Sequence, residues 1–122
     1  MENLDKEKIE RIIKTRKKAH SFYSKKSKVY QSFVAMEQNT YKGGKLTKLQ
    51  KELIAIGISV VIDCESCMEW HIKQALDDGA TDDEILEAIE VGIEMAGGPA
   101  TASARFAMNV LEYYQQPKLI SR

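Results

Sequence analysis

The sequence is poor in the residues that punctuate or staple a chain. Among 122 residues there are two cysteines, two prolines, two histidines and one tryptophan. Two cysteines make no disulfide framework, and a chain of 13.8 kDa buries enough surface on folding to need none. The prolines, Pro99 and Pro117, both fall late, so long helices are permitted nearly everywhere. Long hydrophobic runs are absent too. The longest, Leu53 to Ile62, is ten residues even with Gly57 and Ser59 counted. A membrane span takes about 20, so no membrane partner is expected. The start, Met-Glu-Asn-Leu-Asp-Lys, has no apolar signal core, which points to a reducing cytoplasm. What remains is 43% hydrophobic and 30% charged residues, an ordinary soluble composition, at the length of a single domain spanning 1–122.

Net charge is also missing, but as a sum of opposites. Residues 1–51 carry 14 Lys/Arg against 5 Asp/Glu, and residues 52–122 carry 4 against 13. Complementary fields between the two halves, or between neighbouring copies, account for such a split. The Lys-rich stretch from Lys14 to Lys28 comes with no nucleic-acid module, so no nucleic-acid partner is expected.

The periodicity is helical. Ile9, Ile12 and Ile13 share one face of a basic amphipathic helix over about 5–18. A second helix runs from Phe22 to about Asn39, with Gly43-Gly44 as its stop. Thr47-Lys-Leu-Gln50 has the form of a capping box, and Leu49, Leu53, Ile56 and Val60 follow at helical spacings. The β-branched run Ile54–Ile62 also suits a buried strand. Glu65 to Asp78 forms a helix ending at Gly79, and Thr81-Asp-Asp-Glu84 opens another that ends at Gly97-Gly98-Pro99. The last helix, Ala100 to about Tyr114, offers Ala100, Ala104 and Ala107 for a close helix approach. A thioredoxin-like fold needs further strands, and nothing before Lys45 alternates. The expected fold is all-α, a single-domain bundle of about six helices.

Chemistry concentrates in Asp63-Cys64-Glu-Ser66-Cys67-Met-Glu-Trp-His71. On a helix, taking Cys64 as zero, Cys67 falls near −60° and His71 near −20°, one narrow stripe. His71 is about one turn from Cys67 and roughly 10.5 Å of rise from Cys64, so an imidazole base serves Cys67. A thiolate is favoured at a helix N-terminus, and Cys64 is close enough to trap an oxidised Cys67 as a disulfide. Glu52, twelve residues earlier, orients His71 if the two elements pack antiparallel. Three readings stay open: a redox pair, a zinc site on Cys64, Cys67 and His71, and inert thiols. No second Cys-x-x-Cys or His-x₃-His is present to close a structural zinc site. Met68, Trp70 and the Tyr113-Tyr114 pair read as packing residues, and His20 as a solvated side chain.

Taken together, Glu52-Leu-Ile-Ala, Cys64-x-x-Cys67-x₃-His71 and Ala75-Leu-Asp-Asp-Gly79-Ala-Thr-Asp-Asp-Glu84-Ile85 resemble the alkylhydroperoxidase D-like, carboxymuconolactone decarboxylase family. The similarity covers about Phe33 to Leu111. It implies an all-α fold, self-association as trimers or hexamers, and a thiol-dependent peroxidase or disulfide reductase using no bound cofactor. It further implies that Cys67 attacks the peroxide through His71, that Cys64 resolves, and that Glu52 is the relay carboxylate. The best-known peroxidase pattern has a second histidine where this chain has Ser66. Ser66, through a water, or Glu65 would then take that place in the relay. The implied substrate is a hydroperoxide or a disulfide, and the implied partner an external thiol reductant. Two other outcomes follow from other branches of the argument: a redox- or zinc-linked scaffold without turnover, and lactone decarboxylation. The decarboxylase branch typically lacks the cysteine pair retained here.

Overall fold

Thr47 and Thr81 each open a helix by reciprocal capping. The Thr47 hydroxyl accepts from the Gln50 amide at 3.0 Å, while the Gln50 side chain accepts from the Thr47 amide at 2.8 Å. Thr81 and Glu84 repeat the pattern at 3.1 and 2.8 Å. Each box satisfies two amides that a helix start otherwise leaves open. Around these starts the computed structural model describes residues 1–120, with side chains to Gln115. Six helices follow one another: α1 (Asn3–Lys26), α2 (Lys28–Tyr41), α3 (Lys48–Val61), α4 (Glu65–Asp77), α5 (Asp82–Ala96) and α6 (Gly98–Ile120). No strand forms among the described residues, and the Ile54–Ile62 run is helical through Val61, with Ile62 as the C-cap.

Several boundaries differ from the sequence expectation. The first helix continues through the Lys-rich segment to Lys26, because no proline or glycine interrupts it. The second begins at Lys28 rather than Phe22. Ser27 adopts an extended conformation, and its hydroxyl caps the new helix by accepting from the Tyr30 amide at 3.0 Å. That helix ends at Tyr41 with Lys42 extended, and neither Gly43 nor Gly44 uses a positive φ. The final helix runs beyond Tyr114 to Ile120. By contrast, Gly79 at φ 96° and Gly97 at φ 76° do stop their helices in the left-handed region glycine tolerates.

The core is one cluster shared by five helices. Ile56 and Val60 of α3, Met68 and Ile72 of α4, Ile85 and Ile89 of α5, and Ala107 and Val110 of α6 are buried together with Ile9 of α1. α3 is the central element, packed against both α4 and α5. It meets α5 at glycines. A Cβ on Gly92 would lie 2.7 Å from the Gly57 carbonyl oxygen, so only glycine permits this approach. α2 contributes no buried residue and lies on the outside against α1 and α3. Among the described residues, no helix is long and apolar enough to cross a membrane.

Candidate functional site

The turn from α3 into α4 is tight and pinned. Asp63 sits at φ 53°, an uncommon conformation for a side-chain-bearing residue. Its carboxylate accepts the Ser103 hydroxyl of α6 at 2.8 Å. The next amide, from Cys64, donates to the Ser59 carbonyl at 3.0 Å. Cys64 is therefore the extended N-cap of α4, not a helical residue, and the single stripe expected for all three side chains holds only for Cys67 and His71. The Cys64 sulfur accepts from the Cys67 amide at 3.2 Å, and the two residues are joined as a disulfide with their Cα atoms 5.2 Å apart. Both are partly accessible.

Because α3 and α4 fold back on each other across this turn, Glu52 reaches His71. Nδ1 of His71 donates to Oε1 of Glu52 at 2.7 Å. The carboxylate is only 2% exposed. With Nδ1 engaged, Nε2 is the ring nitrogen left to accept a proton. The second Glu52 oxygen accepts from Nζ of Lys48 at 3.2 Å, and Lys48 also donates to Asp78 at 2.7 Å. Burial pulls the Lys48 ammonium down, but the hydrogen bonds and charges of Asp78 and Glu52 outweigh it and hold its pKa above the ordinary value. The Tyr41 ring lies 5.3 Å from the imidazole, centroid to centroid, tilted by 33°. Burial, and then the charge of Glu52, raise the Tyr41 phenol pKa. A cavity of about 280 Å³ opens here, walled by Tyr41, Lys48, Glu52, Trp70 and Gln74.

The structure does not bring the two other candidate relay residues to this pair. Ser66 is exposed and has no hydrogen-bond partner among the described side chains. Glu65 turns the other way and pairs with Lys8 of α1 at 2.7 Å. His20 is exposed, with Nδ1 2.7 Å from the Tyr30 hydroxyl. Among the described residues no group of three or more His, Cys, Asp or Glu side chains is arranged to hold a metal ion.

Sequence reasoning missed a second buried carboxylate. Glu69 of α4 is fully buried and accepts Nε and Nη2 of Arg16 at 3.2 and 2.9 Å. The Tyr114 hydroxyl donates a short hydrogen bond to its other oxygen. Burial and that bond push the Tyr114 phenol pKa far above the ordinary value. The Arg16 guanidinium also lies 4.7 Å over the Trp70 ring. One signal was available: Glu69 stands in helical register with Ile72 and Leu76, so a carboxylate interrupts an apolar row.

Comparison with known proteins gives a consistent picture. The model of the carboxymuconolactone decarboxylase family matches residues 27–109. An uncharacterised protein of the cox locus of Paracoccus denitrificans is 41% identical over 81 residues, covering 66% of this chain and 73% of that one. An uncharacterised protein of Cupriavidus necator is 34% identical over 83 residues, covering 68% and 71%. A family protein from Legionella pneumophila superposes with a TM-score of 0.75 at 28% identity, over 89% of this chain and 96% of that one. Another, from Thermotoga maritima, superposes at 0.83 and 24% identity, over 91% and 95%. For that Thermotoga protein a part in the antioxidative response has been suggested.

Proposed function

The chain belongs to the carboxymuconolactone decarboxylase family, and we propose that within it this protein is a thiol-dependent antioxidant oxidoreductase. It reduces a hydroperoxide or a disulfide through the Cys64–Cys67 pair. The observation that carries the reading is a Cys-x-x-Cys disulfide at the N-terminus of α4, with Cys67 one helical turn before an imidazole held by a buried carboxylate. The suggested antioxidative part of the Thermotoga relative agrees with it.

In the reduced enzyme Nε2 of His71 takes the Cys67 proton, and Glu52 steadies the imidazolium through Nδ1. The Cys67 thiolate attacks the terminal peroxide oxygen, the O–O bond breaks, and the departing alkoxide recovers that proton as an alcohol. Cys67 is left as a sulfenic acid. The Cys64 sulfur then attacks it, forming the S–S bond and expelling hydroxide, which leaves as water with the Cys64 proton. The Cys67 amide favours negative charge on the Cys64 sulfur. Two external thiols reduce the disulfide and become oxidised in its place. With a disulfide substrate the same two electrons pass by thiol exchange. The cycle requires no bound cofactor, and it places the protein in a reducing compartment such as the cytoplasm.

Differential thiol labelling read by mass spectrometry, before and after a small excess of peroxide, tests the cycle. Wild type converts both thiols to the disulfide. Cys67→Ser abolishes turnover, and Cys64→Ser permits one stoichiometric oxidation. Peroxide consumption unchanged in Cys67→Ser removes the proposal. Consumption of a lactone with both thiols blocked would favour decarboxylase chemistry instead. Stoichiometric zinc in protein purified without added metal or chelator, with no turnover, would favour a metal-linked scaffold.

A further inference from the structure

A second cavity, of about 330 Å³, opens between α1, α2 and α4. It adjoins the one at Glu52, and the two share Glu37 and Trp70 as walls. It holds the other histidine of the chain, His20, and its only tryptophan, Trp70. Every α1 side chain that lines it is basic: Arg16, Lys17 and His20. These three precede residue 27, where the family match begins. From α2 come Tyr30, Phe33 and Val34, so with Trp70 three aromatic rings surround the space.

These walls are set by contacts within the protein. Arg16 is fixed by Glu69, and its guanidinium lies 4.7 Å over the Trp70 ring. His20 is held by Tyr30, whose hydroxyl lies 2.7 Å from Nδ1. The two ring centroids are 5.6 Å apart. Two charges at the cavity are left over. Neither Lys17 nor Glu37 forms an ion pair among the described residues. Elsewhere this protein pairs its charges closely, as at Arg16–Glu69 and Lys48–Asp78. Lys17 and His20 are one turn apart on α1, so they share a face. Tyr30 marks the same end of the cavity as His20. Glu37 follows it along α2 by about 10.5 Å of helical rise, which makes the far end acidic.

We infer that this cavity binds a small aromatic molecule carrying a single acid group. The ring lies among Tyr30, Phe33 and Trp70, and the acid meets Lys17 and His20. Small-molecule sites run from roughly 300 to 1,000 Å³, with apolar walls and a few placed polar groups. This space stands at the lower end of that range, too small for a helix or strand of a protein partner. A planar body suits the walls, because offset and edge-on ring contacts add to what burial alone gives. The basic α1 wall selects an anion through charge-assisted hydrogen bonds. Glu37 repels a second acid at the far end, so the site discriminates against diacids. The inference concerns this cavity and does not depend on the cysteine chemistry.

With one tryptophan in the chain, the indole N–H resonance of Trp70 is unique and reports binding directly. Titration of the full chain with 2-naphthoate, followed by proton–nitrogen NMR, should shift it saturably, with a Kd of about 1 mM or below. Two comparison ligands test the acid. 2-Naphthamide keeps the ring and lacks the charge, and naphthalene-2,6-dicarboxylate adds a second acid. Each should bind about tenfold more weakly. Lys17→Glu, at an exposed position, should weaken 2-naphthoate by about the same factor with an unchanged far-UV circular dichroism spectrum. Phe33→Ala should weaken all three ligands, and Glu37→Gln should bring the dicarboxylate up to the affinity of 2-naphthoate. The inference is overturned if 2-naphthoate leaves the resonance unmoved up to about 10 mM. It is overturned equally if the amide or the dicarboxylate binds wild type as tightly as 2-naphthoate does. Binding unchanged in both Lys17→Glu and Phe33→Ala would place the ligand in the neighbouring cavity at Glu52 and also overturn it.

Discussion

Two carboxylates are buried against α4, and their surroundings differ in what they leave open. Glu52 contacts a titratable imidazole on one oxygen and a lysine on the other, at the edge of a cavity. Glu69 is closed on every side, by an arginine on α1 and a tyrosine on α6. Both obey the rule that a buried charge must be paired. The first is bonded to an imidazole, the side chain used most often for general acid–base transfer. The second is bonded to a guanidinium and a phenol hydroxyl, which here only donate. A carboxylate with a histidine at an open edge suits proton transfer, whereas a carboxylate clamped by arginine and tyrosine suits holding three helices together.

The sharpest way to break this comparison is to remove each carboxylate. Glu69→Ala strands Arg16 and Tyr114 and should cost about 3–5 kcal/mol, seen as a large drop in the denaturation midpoint. Glu52→Gln should cost much less stability and act on reactivity instead. If the two variants lose equal stability, the division between a structural and a chemical carboxylate fails. Next in size, His71→Ala should slow Cys67 alkylation by iodoacetamide near neutral pH by roughly 10²-fold, the lower end of a general-base contribution. An unaltered rate against pH would remove His71 as the base.

The tyrosine sharpens the structural side by its pH dependence. An unfolded tyrosine ionises near pH 10, whereas Tyr114 is held protonated well above that in the fold, by burial first and by Glu69 second. A raised folded pKa means that the stabilisation is whole below about pH 10 and is lost as pH climbs further. Tyr114→Phe should lower stability by about 1–3 kcal/mol at neutral pH and flatten the alkaline decline, as read by chemical denaturation near pH 8 and above pH 10. The smallest effect is expected at Lys48, 41% exposed at its side chain. Lys48→Met removes its ion pairs with Glu52 and Asp78 and should cost no more than about 1 kcal/mol of stability, as read by chemical denaturation at neutral pH.

Legibility from sequence followed the distance over which each feature is encoded. The capping boxes at Thr47 and Thr81 and the glycine stops at Gly79 and Gly97 are each written within a few residues. The break at Ser27 is also local, but its only mark is one serine in a stretch that otherwise favours helix, so propensity alone carries the helix past it. Spacing alone puts Cys64 on the helix, because it cannot separate an N-cap from a first-turn residue. That choice is made by the left-handed Asp63 and its tie to Ser103, forty residues on. Glu52 with His71 was expected only on condition that α3 and α4 pack antiparallel, a condition the turn at Ile62–Cys64 supplies.

By itself the order of residues determined the helical character, most of the helix ends, and the one-turn offset between Cys67 and His71. These depend on the 3.6-residue repeat and on backbone groups that find partners within a turn. Only the tertiary structure decided which carboxylate meets the imidazole and which is sealed between Arg16 and Tyr114. Those outcomes depend on how side chains far apart in the chain share the little room left when burial makes an unpaired charge too costly to keep.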